Sequence, residues 1–114
     1  MFKTLTHLGA TLTLALLVVA PVAFAADAVE VLIAIKNNRF EPAEVRVPAN
    51  QRVKLIVHNQ DASPEEFESR QLSREKIVPA GAKVSIFIGP LKPGRYEFWG
   101  EYHEATAKGV VIAE

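Results

Sequence analysis

The amino-acid sequence predicts an all-β domain, either a β-sandwich or a barrel. Short segments rich in β-branched residues recur along the chain, and several of them alternate apolar with polar side chains. This period of two is typical of strands that bury one face. Turn-forming residues separate the segments at short, even intervals, which favours a sandwich or barrel over βαβ units. The chain of 114 residues is long enough for one such domain.

Residues 1–25 are interpreted as a secretory signal peptide. Lys3 lies in a short polar start, residues 8–20 are almost wholly apolar, and Ala23-Phe24-Ala25 has the small-x-small pattern of a cleavage site. The apolar run is shorter than the roughly 18 residues of a transmembrane span. No cysteine follows it, which excludes a lipoprotein anchor. We therefore expect an exported protein that is not membrane-anchored, with its folded domain over residues 26–114.

Three strands are predicted in the first half of this domain. Residues 29–35 are rich in β-branched side chains and stop at the turn signal Lys36-Asn37-Asn38. Residues 45–47 alternate before Pro48-Ala49-Asn50 turns the chain. In residues 52–58, three apolar side chains alternate with polar ones, which predicts a strand with one face in the core.

The segment that follows fits no simple period. Ser63-Pro64-Glu65-Glu66 has the form of a helix start, with a capping serine and a proline at the first position. The next apolar residues are spaced by five, which neither a helix nor a strand explains. We predict short strands at residues 67–70 and 76–78, joined by an excursion over residues 72–74.

Three further strands complete the predicted domain. Residues 83–88 alternate again, and Gly89-Pro90 and Pro93-Gly94 bracket a tight connection. Residues 95–99 place two aromatic rings on one face, and residues 109–113 form a last apolar strand.

Composition excludes several classes of function. Basic and acidic side chains number 13 each, so the chain lacks the excess of basic charge typical of nucleic-acid binders. The absence of cysteine excludes disulfides and thiol catalysis. The sequence contains neither a Gly-x-Ser-x-Gly elbow nor a glycine-rich phosphate loop, and so short a domain leaves little room for a glycosidase cleft. We expect no enzymatic activity.

The order of several motifs resembles the cupredoxins, which are small Greek-key β-sandwiches of exported proteins. The motifs are Phe40-x-Pro, Asn59-x-Asp, Val78-Pro-Ala-Gly, Pro93-Gly-x-Tyr-x-Phe and the following His103. The resemblance extends from about Val29 to Ala113 and implies a cupredoxin-like Greek-key β-sandwich.

One segment narrows the resemblance. Glu65-Glu66-Phe67-Glu68 is most similar to the EfeO-type cupredoxin-like domains of bacterial periplasmic iron-uptake systems. In those domains a carboxylate-bearing segment occupies the place of a copper-binding histidine. The resemblance implies a periplasmic location and a role as an accessory to metal uptake, with a membrane permease or another uptake component as partner.

The departures from the cupredoxin pattern predict that a type 1 copper site is missing. That site takes two histidines, a cysteine and usually a methionine. The resemblance puts Glu66 at the first histidine, Gly100 at the cysteine and Ala107 close to the methionine, and only His103 is kept. The chain contains no cysteine, and its single methionine is Met1. Any metal must therefore be held by oxygen and nitrogen.

The resemblance implies that Glu66 and His103 face each other across neighbouring loops, with Glu101 close by. We expect these three residues to be the metal ligands. Carboxylate and imidazole suit iron or Cu(II) better than Cu(I), which prefers sulfur. The alternative is a metal-free cupredoxin-like domain that mediates protein interactions through an aromatic patch near Trp99, because glutamates in loops are usually solvated and without a ligand.

Overall fold

The computed structural model describes residues 3–4, 6, 9–18 and 27–114. The predicted cleavage after Ala25 lies outside these residues. The described part of the chain forms strands and no helix, so it holds no helix long and apolar enough to cross a membrane. The strands are β1 (Val29–Lys36), β2 (Arg39–Glu41), β3 (Glu44–Val47), β4 (Val53–Asn59), β5 (Glu65–Ser69), β6 (Arg74–Val78), β7 (Lys83–Ile88), β8 (Gly94–Gly100) and β9 (Lys108–Ala113).

The strands form two sheets that pack face to face. The four-stranded sheet has the order β2-β1-β4-β7, and the five-stranded sheet has the order β3-β9-β8-β5-β6. Two pairs are parallel, β1 with β4 and β3 with β9, and the other pairs are antiparallel. The prediction of an all-β sandwich is confirmed, and the strand order is consistent with a Greek key.

The core lies between the two sheets. Alternate residues of β4 are buried, as the period of two predicts. Three aromatic rings pack at the centre: Phe98 lies 4.9 Å from both Phe40 and Phe67, measured between ring centroids. Every buried apolar side chain of the described residues lies between Ile33 and Ala113, whereas the described leucines from Leu12 to Leu17 are exposed. The sandwich is therefore complete without the N-terminal segment.

The segment without a clear period is a β-hairpin. Two strands are confirmed, but β5 and β6 each begin two residues earlier than predicted. Leu72 is buried within the connecting turn, while Ile77 points outward on the edge strand β6. The apolar spacing of five fits no single period because Leu72 is buried in the turn whereas Ile77 faces solvent. The motif at Ser63-Pro64 leads into a strand because residues 65–69 pair with β6.

Candidate functional site

Two connections meet at one end of the sandwich. The first leads from β4 to β5 and is fixed by the buried side chain of Asn59. Its amide donates to the carbonyl oxygens of Ser63 and Val78, and its oxygen accepts from the Asp61 N–H at 3.0 Å. These bonds fix the connection that leads into β5, so that Glu65, the first residue of β5, lies at this end of the sandwich.

The second connection is the tight loop from Gly100 to Ala107. The Gly100 N–H donates to the Ala107 carbonyl at 2.9 Å, and the Ala107 N–H donates to the His103 carbonyl at 2.8 Å. The Thr106 hydroxyl donates to the Asn38 carbonyl at 2.6 Å, which ties the loop to the turn between β1 and β2. The loop therefore holds His103 above the end of the core.

Glu65 and His103 form the central contact of this end. Glu65 Oε2 lies 2.6 Å from His103 Nδ1, and Glu65 Oε1 accepts from the N–H groups of Glu66 and Tyr102 at 2.9 Å each. The Glu65 side chain is 1% exposed, whereas that of His103 is 28% exposed. A buried carboxylate needs such partners to offset the loss of water. His103 Nδ1 is thus held by a carboxylate, not left open as a ligand atom.

Gly100 leaves the space that the Glu65 carboxyl fills. A Cβ at Gly100 would lie 2.6 Å from Glu65 Cδ and 2.7 Å from Ala107 Cβ, so a larger residue would collide with both. Gly100 thus lies against both Glu65 and Ala107, and Glu65 in turn contacts His103. By the resemblance, these positions include those of a copper-binding cysteine and histidine. Here a carboxylate–imidazole pair occupies that place.

The structure does not bring Glu66 and His103 together. Successive side chains of a strand point to opposite faces, so Glu65 and Phe67 point inward while Glu66 points to the outer face of the five-stranded sheet. The expectation that Glu66 faces His103 is therefore wrong by one residue, because Glu65 is the carboxylate that faces His103. Glu101 also lies apart from His103 Nδ1, since its carboxyl accepts from the Trp99 indole N–H at 2.7 Å.

Glu66 belongs instead to a group of three carboxylates. One oxygen from each of Glu66, Glu68 and Glu75 lies within 4.8 Å of the other two. We call this group the carboxylate cluster. Its members come from two strands, because Glu68 pairs with Glu75 in the ladder between β5 and β6. Glu66 is only 9% exposed. None of the salt bridges within residues 27–114 involves the cluster.

The proximity of these acids changes their protonation. The pKa of Glu66 is raised, first by a hydrogen bond with the Glu75 carboxyl and then by burial. Burial and then the Glu101 carboxyl raise the pKa of Glu68. The Trp99 indole hydrogen bond lowers the pKa of Glu101, so this acid remains ionised more readily than its neighbours. Negative charge is thus concentrated at the cluster, and no salt bridge within residues 27–114 neutralises it, although Arg70, Arg74 and Lys76 line the hollows beside it. Such a concentration of charge attracts a metal ion.

Tyr102 lies beside the cluster. Burial and the Glu66 carboxylate raise the pKa of its phenol. A shallow hollow next to the cluster is lined by Glu66, Glu75, Lys76 and Ile77. The carboxylate oxygens are therefore reachable from solvent on this side of the sheet.

The sequence prediction missed two residues of this region, Glu65 as the partner of His103 and Glu75 as a member of the cluster. A local signal for Glu65 exists, because Phe67 is a core residue and the residue two positions earlier shares its face. No local signal exists for Glu75, since its position opposite Glu68 depends on the register of the hairpin.

Comparison with known proteins agrees with this architecture. The family model described as the cupredoxin-like domain matches residues 9–113. The chain therefore belongs to the cupredoxin-like family. It is also 48% identical, over 83 residues, to "Uncharacterized protein RP394" of Rickettsia prowazekii (strain Madrid E). The matched region covers 73% of this chain and 66% of that relative, slightly less than two thirds of its length.

Solved structures of copper proteins share the fold. The metal-binding domain of the Cu(I)-exporting P-type ATPase CopA of Streptococcus pneumoniae D39 superposes with a TM-score of 0.66 at 16% identity, covering 75% of this chain and 84% of that one. Auracyanin A, a blue copper protein of Chloroflexus aurantiacus, gives a TM-score of 0.66 at 14% identity, covering 77% of this chain and all of that one (100%). At such identities the likeness establishes the fold alone.

The family fold is thus present without the blue-copper centre. The full sequence contains no cysteine, and a type 1 site requires a cysteine thiolate. This protein therefore has no type 1 copper site.

Proposed function

We propose that this protein is an exported, cupredoxin-like metal-binding protein whose carboxylate cluster takes up a hard or borderline ion. The observation that carries the proposal is the meeting of three carboxylate oxygens within 4.8 Å on one sheet face. Glu66 is nine-tenths buried and points into the cluster without a basic partner. A bound cation would relieve the repulsion that raises its pKa.

The oxygen donor atoms of the cluster favour hard cations over soft ones such as Cu(I). The cluster offers only carboxylate oxygens, with the Tyr102 phenol nearby, and such ligands suit hard cations. Of the two metals that the sequence predicts, iron fits this set better than copper, and Cu(II) fits it better than Cu(I). Glu66 thus keeps its predicted ligand role, with Glu68 and Glu75 as partners in place of His103. Glu101 lies at the edge of the same face.

The biological role is proposed from the resemblance. The EfeO-type likeness of Glu65-Glu66-Phe67-Glu68 supports a periplasmic location and a role as accessory to a membrane permease in metal uptake. The interpretation of residues 1–25 as a signal peptide supports export. The proposed role is to hold and pass on a metal ion, without catalysis.

Calorimetric titration of residues 26–114 tests the metal site. The metals to be titrated are Fe(II), under anaerobic conditions, Mn(II), Zn(II) and Cu(II). We expect at least one of them to bind with a stoichiometry of one ion per chain. The variant Glu66→Gln/Glu75→Gln keeps the side-chain shapes but removes two ligand charges, so affinity should fall about tenfold or more.

Two further variants define the site. Glu44→Gln/Glu97→Gln removes the same charge from the same sheet outside the cluster, and its affinity should stay within about twofold of the parent. His103→Gln should also leave the affinity close to that of the parent, because His103 is not a member of the carboxylate cluster. Unchanged affinity in Glu66→Gln/Glu75→Gln would reject the cluster as the site.

A metal-free interaction domain is the second candidate. The observation that favours it is the Glu65–His103 pair, in which a buried carboxyl engages His103 Nδ1 at the end of the sandwich that the resemblance assigns to the copper ligands. The half-buried Trp99 lines a groove on the outer face of the five-stranded sheet, where a protein partner would pack. The titration separates the two candidates, since this one requires that no metal bind at micromolar concentration.

A further inference from the structure

The outer face of the four-stranded sheet carries an apolar centre. Leu32 pairs with Ile56 across β1 and β4, and Phe87 pairs with Lys54 across β4 and β7. Leu32 is 67% exposed and Phe87 is 41% exposed. Isolated exposed apolar residues are ordinary, but two that protrude beside a half-buried Ile56 on one face form a patch.

Basic side chains surround this patch. The Arg52 guanidinium lies 4.4 Å from the centroid of the Phe87 ring, and Lys54 Nζ lies 6.0 Å from the same ring. The aliphatic stems of such residues cover apolar surface while their charges reach solvent. The basic residues on or beside the outer face of this sheet are Lys36, Arg39, Arg52, Lys54 and Lys83, and the acidic ones are Glu30 and Glu41.

The two outer faces of the sandwich therefore differ in charge. The acidic residues Glu66, Glu68, Glu75 and Glu101 lie on the five-stranded sheet, while the patch around Leu32 and Phe87 is basic. Only Glu30 makes a salt bridge within this basic patch, to Lys54 at 3.4 Å. The positive charge consequently remains available to an anionic partner.

We propose that this face docks reversibly on the surface of an anionic lipid bilayer. The charges are spread over several strands and do not converge on a point, as recognition of a single small anion would require. A sheet face with protruding Leu32 and Phe87 between basic residues suits a layer of anionic headgroups, which attracts lysine and arginine and admits apolar side chains at the interface. The carboxylate cluster, on the other sheet, would remain open to solvent.

Vesicle sedimentation tests the docking face with residues 26–114, whose core is complete without the N-terminal segment. The protein should bind vesicles of phosphatidylglycerol and phosphatidylcholine in equal parts, and not vesicles of phosphatidylcholine alone. Added salt should weaken binding, because the attraction is electrostatic.

Two variants assign the binding to this face. Arg52→Glu/Lys54→Glu/Lys83→Glu should lower the partition onto anionic vesicles at least about tenfold. Leu32→Ser, at an exposed position that the core does not use, should weaken binding severalfold without changing the fold. The matched control Lys76→Glu/Arg95→Glu/Lys108→Glu makes the same charge change on the five-stranded sheet and should bind as the parent does, apart from the small effect of net charge.

Several results would overturn the proposal. These are absence of binding to anionic vesicles, equal binding to phosphatidylcholine alone, and equal losses in the two triple variants. Concentration-dependent dimerisation that disappears in Arg52→Glu/Lys54→Glu/Lys83→Glu would assign the face to a second copy of the chain instead. Circular dichroism and thermal midpoints confirm that each variant is folded before its binding is interpreted.

Discussion

Glu65 decides the chemistry at the end of the sandwich. Its carboxyl is almost fully buried and is stabilised by the N–H groups of Glu66 and Tyr102 and by His103. Without these partners, burial of the charge would cost several kcal/mol. The residue therefore acts as a polar anchor that joins β5 to the loop after β8.

Replacing Glu65 tests this anchoring role. Glu65→Ala leaves two backbone N–H groups and His103 Nδ1 without their acceptor, so we expect a loss of about 2 kcal/mol or more in the free energy of unfolding. Glu65→Gln should lose less, because its amide oxygen still accepts from the two N–H groups. Urea denaturation measures both variants. Equal losses would contradict the hydrogen-bonding account.

The position of Glu65 was within reach of sequence reasoning, although the prediction chose Glu66. Phe67 was predicted to lie in a strand, and its burial places Glu65 on the same face. His103 was predicted correctly as a residue of this end of the sandwich. Its contact with a carboxylate was also expected, but not which carboxylate makes it.

At the scale of elements, the β5–β6 hairpin creates the carboxylate cluster. Glu68 and Glu75 are directly opposite in an antiparallel ladder, an arrangement that is unfavourable for like charges. Glu75 is also the main cause of the raised pKa of Glu66, whereas the pKa of Glu68 is raised first by burial and by Glu101 and only then by Glu75. A fold that keeps such an arrangement gives up some stability for a concentrated negative charge.

This conflict predicts a pH-dependent gain in stability on removing Glu75. A raised pKa means that the folded state keeps protons that the unfolded state has lost, so stability falls as the pH rises above the ordinary value of 4.5. Glu75→Gln removes the main cause of the raised pKa of Glu66. We expect its thermal midpoint to exceed that of the parent by a few degrees at about pH 7, with the difference vanishing near pH 3.

Glu97→Gln is the matched control for this measurement. It removes one carboxylate from the same sheet but not from the cluster, and its midpoint should follow that of the parent at both pH values. A gain in Glu75→Gln that is equally large near pH 3 would show that the effect is not electrostatic.

The elements themselves were largely predictable from local patterns. Residues 83–88 match β7, because apolar and polar side chains alternate there except at Phe87. The hairpin around Leu72 was harder, since that apolar side chain is buried by a turn and not by a strand. β2 was not predicted as a strand, because three residues are too few to show an alternation of apolar and polar side chains.

At the scale of the whole molecule, the sandwich has the family fold, but other side chains stand at the end that the resemblance matches to a copper site. Gly100 lies against both Glu65 and Ala107 there, and Glu65 contacts His103. The family's ligands should therefore be recoverable by substitution at the right positions.

We predict that Glu65→His/Gly100→Cys creates a copper site with His103. Removing the carboxyl relieves one of the two collisions that a Cβ at Gly100 would make, and a small shift of the loop at Ala107 is needed to relieve the other. Two imidazoles and a thiolate form the trigonal set of a blue-copper site. Addition of Cu(II) should give the intense visible absorption of thiolate-to-copper charge transfer, which the parent, lacking cysteine, cannot show.

Glu66→His/Gly100→Cys is the control for register. Its new imidazole points to the outer face of the five-stranded sheet, so the same absorption should not appear. Colour in the control but not in Glu65→His/Gly100→Cys would mean that the ligand positions at this end have been assigned wrongly.

Local patterns of the chain were enough to predict the fold class and the absence of a blue-copper centre. Alternation of apolar side chains and the absence of cysteine are local properties that need no contacts to be recognised. The contact of Glu65 with His103, and that of Glu75 with Glu66 and Glu68, became known from the folded structure. The physical reason is strand register. A shift of one residue turns every side chain to the opposite face, and register is fixed by pairing between strands that are distant in the chain.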